Sequence, residues 1–249
     1  MIHKYPKMSK KPSHPAVLSA TCLALFLLIL MIPIHFVPSA HAKNYIKIGL
    51  LEEPKTLNIW LATDAWSSKV LRQIYQPLYI REPKNLDLTP WLASEHPVYD
   101  PDSLTYTVKM RPAKWSDGSE LTSEDVAFTG HLIKTLKVPR YLSSWEFIEK
   151  IETPDKHTVC FTLREPKAIF LSRTLTTPIV QKKYWEAILE RVKGSEKPLL
   201  EVLKQKITNP IGSGPFVLKE WRKGAYVFLE KNEHFFGQGQ QIAGYHLGP

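Results

Sequence analysis

The chain has 249 residues, 43% of them hydrophobic, and 33 Lys and Arg against 24 Asp and Glu, for a formal charge of +9. That length supplies one or two domains with a core that needs no covalent staples. The basic excess is spread along the chain and is not interleaved with aromatics in clusters, which excludes a nucleic-acid surface as the reading of the charge.

The first element is an export signal. MIHKYPKMSKK is followed by an apolar run from Ala16 to Ile34 and by the small-residue tail Ser39-Ala40-His41-Ala42, the order of positive start, hydrophobic middle and A-x-A exit. Cleavage after Ala42 is the expectation, favoured by Pro33; an uncleaved anchor stays the alternative, because about 20 apolar residues suffice to cross a bilayer. Cys22 precedes most of the apolar run, so a lipoprotein is not predicted. Residues 1–42 carry four lysines and no acid, so their removal leaves 207 residues at a charge of +5 with Cys160 as the one remaining cysteine. An intramolecular disulfide is then excluded. Cys160 reads as a small strand side chain rather than a reactive thiol, since no basic neighbour in sequence lowers its pKa.

From Asn44, YIKIGLLEEPKTLNIW predicts a strand running into an irregular segment. DAWSSKVLRQIYQPLY predicts a helix, capped by Asp64, striped by Val70, Leu71 and Ile74, and ended by Pro77. LTYTVKMR alternates Leu104, Tyr106, Val108 and Met110 against polar residues, a strand buried on one face. TVCFTLRE repeats the pattern with Val159, Phe161 and Leu163 inward, and Thr153-Pro154-Asp155-Lys156 predicts the turn of a hairpin before it. QKKYWEAILERVK and KPLLEVLKQK predict amphipathic surface helices separated by Gly194-Ser195. PFVLKEWRKGAYVFLEKN predicts a hairpin turning at Arg222-Lys223-Gly224. The tail GQQIAGYHLGP carries no predicted element.

KWSDGSELTSEDVAFTGHLIK places Asp117, Glu120, Glu124 and Asp125 within nine residues, and a metal site, a catalytic carboxylate pair and a structural junction compete for it. The spacing lacks the alternating acids, glycine and distal glutamate of a calcium loop. Asp117-Gly118 reads as a turn, and Thr122 stands three residues before Asp125, the spacing of a capping box at a helix start. In that helix Val126, Phe128, Leu132, Ile133 and Leu136 fall on one arc of roughly 160°, with Gly130 and Lys134 facing away. The carboxylates are accounted for as turn and cap; catalysis by Asp117, Glu124 or Asp125 in a secreted enzyme remains the rival function, and a membrane-tethered interaction module is a third. Gly212-Ser213-Gly214 fits neither a nucleophile elbow nor a phosphate loop and reads as a flexible turn. The histidines lack metal-ligand spacing, so neither a metal nor another cofactor is predicted.

KWSDGSELTSEDVAFT resembles the signature of the family 5 extracytoplasmic solute-binding proteins, the oligopeptide and dipeptide receptors of ABC importers. TLNIW…LRQIYQPLY, IETPDKHTVCFTLREP and NPIGSGPFVLKEWRKGAYVFLEKNEHFFG agree with it in order, spanning Tyr45 to Gly237. The resemblance implies an α/β fold of mixed sheets, with two lobes closing on a hinge and a small subdomain grown from the first lobe. Residues 43–77 and 168–249 are expected to form the first lobe, discontinuous and incomplete, and residues 78–167 the subdomain. The second lobe is expected to be absent.

In this frame Trp115, Asp117, Gly118, Thr122, Asp125, Gly212, Gly214 and Pro215 are structural signature residues, and no catalytic residue is expected. The ligand loop falls by position at Thr63 to Trp66. Asp64, Ala65 and Trp66 are therefore the candidate ligand residues, with Asp64 as a helix cap and Trp66 as a core residue the competing reading. The implied partners are a peptide or other small solute and an inner-membrane ABC permease, and the implied location is periplasmic or otherwise extracytoplasmic. Relatives carry nickel complexes, haem and sugars as well as peptides, so the cargo stays open. Without a second lobe, ligand binding is expected to be weak or absent.

Overall fold

The computed structural model describes residues 45–82, 84–237 and 244–248. The expected export signal at residues 1–42, with Cys22, lies outside the described residues. Among the described residues no helix is long and apolar enough to cross a membrane.

In chain order the strands and α-helices are β1 (Tyr45–Gly49), α1 (Ala65–Ile74), β2 (Tyr79–Arg81), β3 (Leu88–Pro90), β4 (Val98–Asp100), β5 (Thr105–Lys109), β6 (Ala113–Lys114), β7 (Glu120–Leu121), α2 (Ser123–Leu136), β8 (Ile148–Asp155), β9 (Thr158–Leu163), α3 (Lys182–Val192), α4 (Pro198–Lys204), β10 (Phe216–Arg222), β11 (Tyr226–Lys231) and β12 (Gly244–Gly248). Two four-stranded sheets organise them, ordered β1-β12-β11-β10 and β4-β5-β9-β8, beside the two-stranded pairs β2-β3 and β6-β7. The first sheet is mixed: β12 lies parallel to β1 and antiparallel to β11. The second is antiparallel throughout. β12 occupies the tail for which the sequence predicts no element; its partners are a strand some two hundred residues earlier and a neighbouring hairpin strand, and neither is visible in a local pattern.

The alternation in β9 is as predicted, with Val159, Phe161 and Leu163 buried and the residues between them half-buried. Cys160 is half-buried on this strand, its Sγ 3.8 Å from Thr107 Oγ1. The preceding turn sits later than predicted. β8 continues through Pro154 to Asp155, and the chain reverses at Lys156-His157. A register shift between Glu152 and Asp155 explains this, because an irregular stretch of a sheet-edge strand admits a proline without a ladder donor.

α1 starts where predicted, with the Asp64 carboxylate accepting from Ser67 N at 2.7 Å, and buries Val70, Leu71 and Ile74. It ends at Ile74, before Pro77, because Tyr75 turns extended and Gly214 N donates to the Ile74 carbonyl at 2.8 Å. Gln181 and Lys197 flank the starts of α3 and α4; Trp185 and Ile188 bury one side of α3, and between the helices the Ser195 hydroxyl accepts from Lys197 N.

In α2 the buried arc is rotated from the predicted one. Val126, Leu132 and Ile133 are buried, but so is Gly130, whereas Phe128 and Leu136 are only half-buried. A Cβ on Gly130 would stand 2.5 Å from the Trp145 ring and 2.6 Å from Ile151 Cδ1. Lys134 is not turned out to solvent either: its Nζ donates to the Ile148 carbonyl at 2.5 Å. A wheel of apolar residues misses this face because the absence of a side chain at residue 130 is what admits the tryptophan. Gly130→Ala is expected to destabilise the chain by about 1–3 kcal/mol through overpacking, read as a lowered urea midpoint with an unchanged slope. An unchanged midpoint would mean that Trp145 does not pack there.

Candidate ligand-facing site and its framework

The acidic cluster resolves into a junction. β6 and β7 form a two-residue ladder whose loop is Trp115 to Ser119, with Trp115 N donating to Ser119 O at 2.9 Å and Gly118 at φ +84°, a value that favours glycine. Asp117 closes this loop: Oδ1 accepts from Ser119 N at 3.0 Å and Oγ at 2.6 Å, and Oδ2 accepts from Gln181 Nε2 at 3.0 Å. Burial alone would raise the Asp117 pKa, but the Ser119 hydroxyl and Gln181 amide outweigh it and hold the carboxyl below its ordinary value. Glu120 and Glu124 are exposed partners of Lys156 at 2.7 Å and Lys182 at 2.9 Å.

Asp125 is different in kind. Its carboxylate is buried, and it accepts from Thr122 N at 2.9 Å, Trp115 Nε1 at 3.2 Å and Lys182 N at 2.8 Å. The first bond is the carboxylate half of the predicted capping box. The other two tie the start of α2 to the WSDG loop and to the segment entering α3. One turn on, Thr129 Oγ1 donates to the Asp125 carbonyl at 2.7 Å and accepts from Val180 N at 3.1 Å. Burial pushes the Asp125 pKa up, against the pull of the Thr122, Lys182 and Trp115 donors.

The glycine-rich segment joins the same framework. Ser116 N donates to Gly212 O at 2.8 Å and Gly214 N to Ile74 O at 2.8 Å, while Asn232 binds Gly214 O through Nδ2 at 2.7 Å and Pro215 O through its amide at 2.9 Å. The predicted flexible turn is instead a close contact. A Cβ on Gly212 would fall 2.0 Å from the Ile74 carbonyl oxygen, and one on Gly214 2.3 Å from that of Gln73. Trp115, Asp117, Gly118, Thr122, Asp125, Gly212, Gly214 and Pro215 thus gather around one junction between α1, α2, α3 and β10.

The predicted ligand residues stand elsewhere, at the start of α1. Asp64 is half-buried with its carboxylate on Ser67 N; burial would raise its pKa, but the Ser67 bonds outweigh this and lower it. Ala65 is exposed, and Trp66 is half-buried against the core with Lys69 Nζ 5.7 Å from its ring centre. Four residues on from Asp64, Ser68 opens a cleft of about 530 Å³ that runs beside α1. Its lining includes Arg72, Tyr75 and Gln76 from α1 and the turn after it, Arg81 from β2, and Arg140 and Tyr141 after α2. Arg72 and Arg140 are 68 positions apart in sequence, so no local signal joins them. Among the described residues no three His, Cys, Asp or Glu side chains converge as a metal site.

Replacing Asp125 with Ala strands a buried indole and two amides, and about 3 kcal/mol of stability is expected to be lost, against under about 1 kcal/mol for Glu124→Ala. Urea titrations of the two variants check this; equal effects would remove Asp125 from the framework. For Asp117 the lowered folded pKa means a contribution present above the unfolded pKa and lost as pH falls through the folded one. The stability gap between wild type and Asp117→Asn should therefore be widest at neutral pH and close in acid.

The sequence profile of the bacterial extracellular solute-binding proteins, family 5, middle region, matches residues 87–244, more than half of the chain. The oligopeptide-binding protein AppA of Bacillus subtilis (strain 168) is 33% identical over 193 residues, covering 76% of this chain and 34% of AppA. The probable D,D-dipeptide-binding periplasmic protein DdpA of Escherichia coli (strain K12) is 32% identical over 226 residues, covering 85% of this chain and 40% of DdpA. In three dimensions the chain matches AppA in complex with a nonapeptide at a TM-score of 0.67 and 27% identity, over 82% of this chain and 39% of AppA. It also matches the mannohexaose-bound periplasmic oligopeptide-binding protein of Thermotoga maritima at 0.69 and 25% identity, over 84% of this chain and 38% of that protein. The chain spans about a third to two fifths of the length of these relatives. With its mixed α/β sheets it shares the periplasmic-binding-protein fold over that part, and it belongs to the family 5 bacterial extracellular solute-binding proteins.

Proposed function

We propose that this chain is the solute-capturing component of an ABC importer for peptides, and that it acts without a chemical step. The observation that carries the reading is the family match across residues 87–244, joined to relatives whose names describe oligopeptide and dipeptide binding. Residues 43–77 and 168–249 form the first lobe in this reading, and residues 78–167 the subdomain. The sheets support the division: β1-β12-β11-β10 draws only on the two lobe segments, and β4-β5-β9-β8 lies wholly within the subdomain.

The start of α1, with Asp64, Ala65 and Trp66, offers one wall of the ligand cleft. Trp66 presents a partly exposed aromatic face there, suited to covering a solute. A second lobe, which these 249 residues do not supply, closes over an extended peptide held by main-chain hydrogen bonds. An inner-membrane permease then receives the solute. Residues 1–42 direct export to the periplasm or its equivalent and are removed after Ala42, so the mature product begins at Lys43.

A cleft with one wall leaves most of a bound peptide in water. Calorimetry of the 249-residue chain with tetra-alanine is expected to show no micromolar binding, and micromolar binding would contradict the two-walled mechanism. Mass spectrometry of the exported product is expected to place its amino terminus at Lys43; a product retaining residues 16–34 would favour a membrane-tethered protein.

A further inference from the structure

The cleft beside α1 has an unusual charge balance for its size. Three arginines, Arg72, Arg81 and Arg140, line it, and none of its lining residues is acidic. Among the described residues no carboxylate forms an ion pair with any of the three. The Arg140 guanidinium is held in place, and Arg72 is anchored through its main chain. Arg140 lies over the Tyr141 ring at 5.4 Å and reaches Ser68 Oγ with Nη2 at 3.4 Å. Arg72 sits in the last turn of α1, where the Gln76 side chain donates to its carbonyl at 2.8 Å and accepts from Trp91 Nε1 at 2.5 Å.

Burial pushes the Tyr141 phenol up, while the Arg140 and Arg72 guanidiniums both pull against it, so the two charges bear on one hydroxyl from different elements. Arg81 is partly committed, donating Nη1 to Leu86 O at 3.0 Å. Tyr75, buried in the same wall, has a hydroxyl with no hydrogen-bond partner. Each arginine has a local explanation: a helix C-terminus for Arg72 and an aromatic face for Arg140. All three arginines are exposed, and those explanations supply no reason for three guanidinium side chains to share one concavity that has no acidic lining residue.

We infer that this cleft seats the carboxylate of a small solute, clamped between Arg72 and Arg140 beside Tyr141. A planar fork matches a carboxylate with two parallel hydrogen bonds, and a volume of about 530 Å³ accommodates a short peptide or a small organic acid. Ser68 and Arg72 continue from Asp64 along one side of α1, so the anionic end would lie along the helix from the proposed ligand loop. The inference rests on the solute-capture reading and adds a charge requirement to it.

The test is an NMR titration of the full chain, following arginine Nε–Hε resonances, with glutarate, glutaramide, trialanine and trialanine amide as probes. At least one carboxylate probe is expected to shift the Arg72 and Arg140 signals with at least about tenfold higher affinity than its amide counterpart, more weakly as salt is raised. Glutarate alone discriminating from its amide identifies a free organic acid, and trialanine doing so identifies a peptide carboxy terminus; either supports the inference. Arg72→Gln and Arg140→Gln, each checked for an unchanged thermal midpoint, should weaken binding about tenfold, while Arg173→Gln outside the cleft should not. Trialanine and its amide binding equally, with loss in Trp66→Ala but not in Arg140→Gln, would overturn the inference and leave solute capture standing. Silence from all four probes up to saturating concentration would overturn it as well.

Discussion

The buried Asp125 carboxylate is the interaction on which the arrangement of this chain depends. A buried carboxylate is costly unless its oxygens are hydrogen-bonded, and here three N–H donors from three stretches of chain supply the bonds. The requirement for those donors fixes the start of α2 against the Trp115 loop and against the entry to α3. Thr129 repeats the tie one turn later, and Trp145 Nε1 on Thr177 Oγ1 at 3.0 Å extends it along the same crossing segment. Neutralising the carboxylate or shortening its side chain affects all of these contacts together.

Gly212 and Gly214 perform the complementary task by close approach. Because no side chain stands at either position, the backbone before β10 lies directly on the end of α1, where it satisfies the Ile74 carbonyl that the helix itself leaves open. The start of α1 carries the proposed ligand loop, and its side carries the cleft. Two stretches that touch no proposed ligand residue thereby set where those residues stand. In a receptor that works by closure, rigidity of this kind keeps one wall fixed while the other moves.

What was legible in the sequence follows from how local each signal is. Thr122 and Asp125 are three residues apart, and a capping box is a local pattern, so the structural reading of the acidic cluster came from spacing alone. The helix start at Asp64 and the alternation of β9 were legible for the same reason. Lys182 N and Trp115 Nε1 as further partners of Asp125 were not, since they arrive from 57 and 10 residues away through the tertiary fold. β12 was missed because its pairing with β1 is a long-range event on a glycine-containing tail. Gly130 was misread because periodicity weighs what a side chain contributes, whereas this residue acts by lacking one; Gly212 and Gly214 read as signature residues through the resemblance, but their close approach to the end of α1 has no local signal. The arginines of the cleft are scattered in sequence, and only folding brings them to one concavity.

Native-state hydrogen exchange at the Thr122 and Lys182 amides tests the central claim most directly, because both amides bond to the Asp125 carboxylate and neither has its bond within a helix or a strand ladder. If Asp125 holds the junction as one cooperative unit, both exchange only through global unfolding, with the same free energy as the core amides of β9 and α2. Exchange of either amide through a low-energy local opening, while β9 stays protected, would show that the junction is not the constraint on which the rest depends.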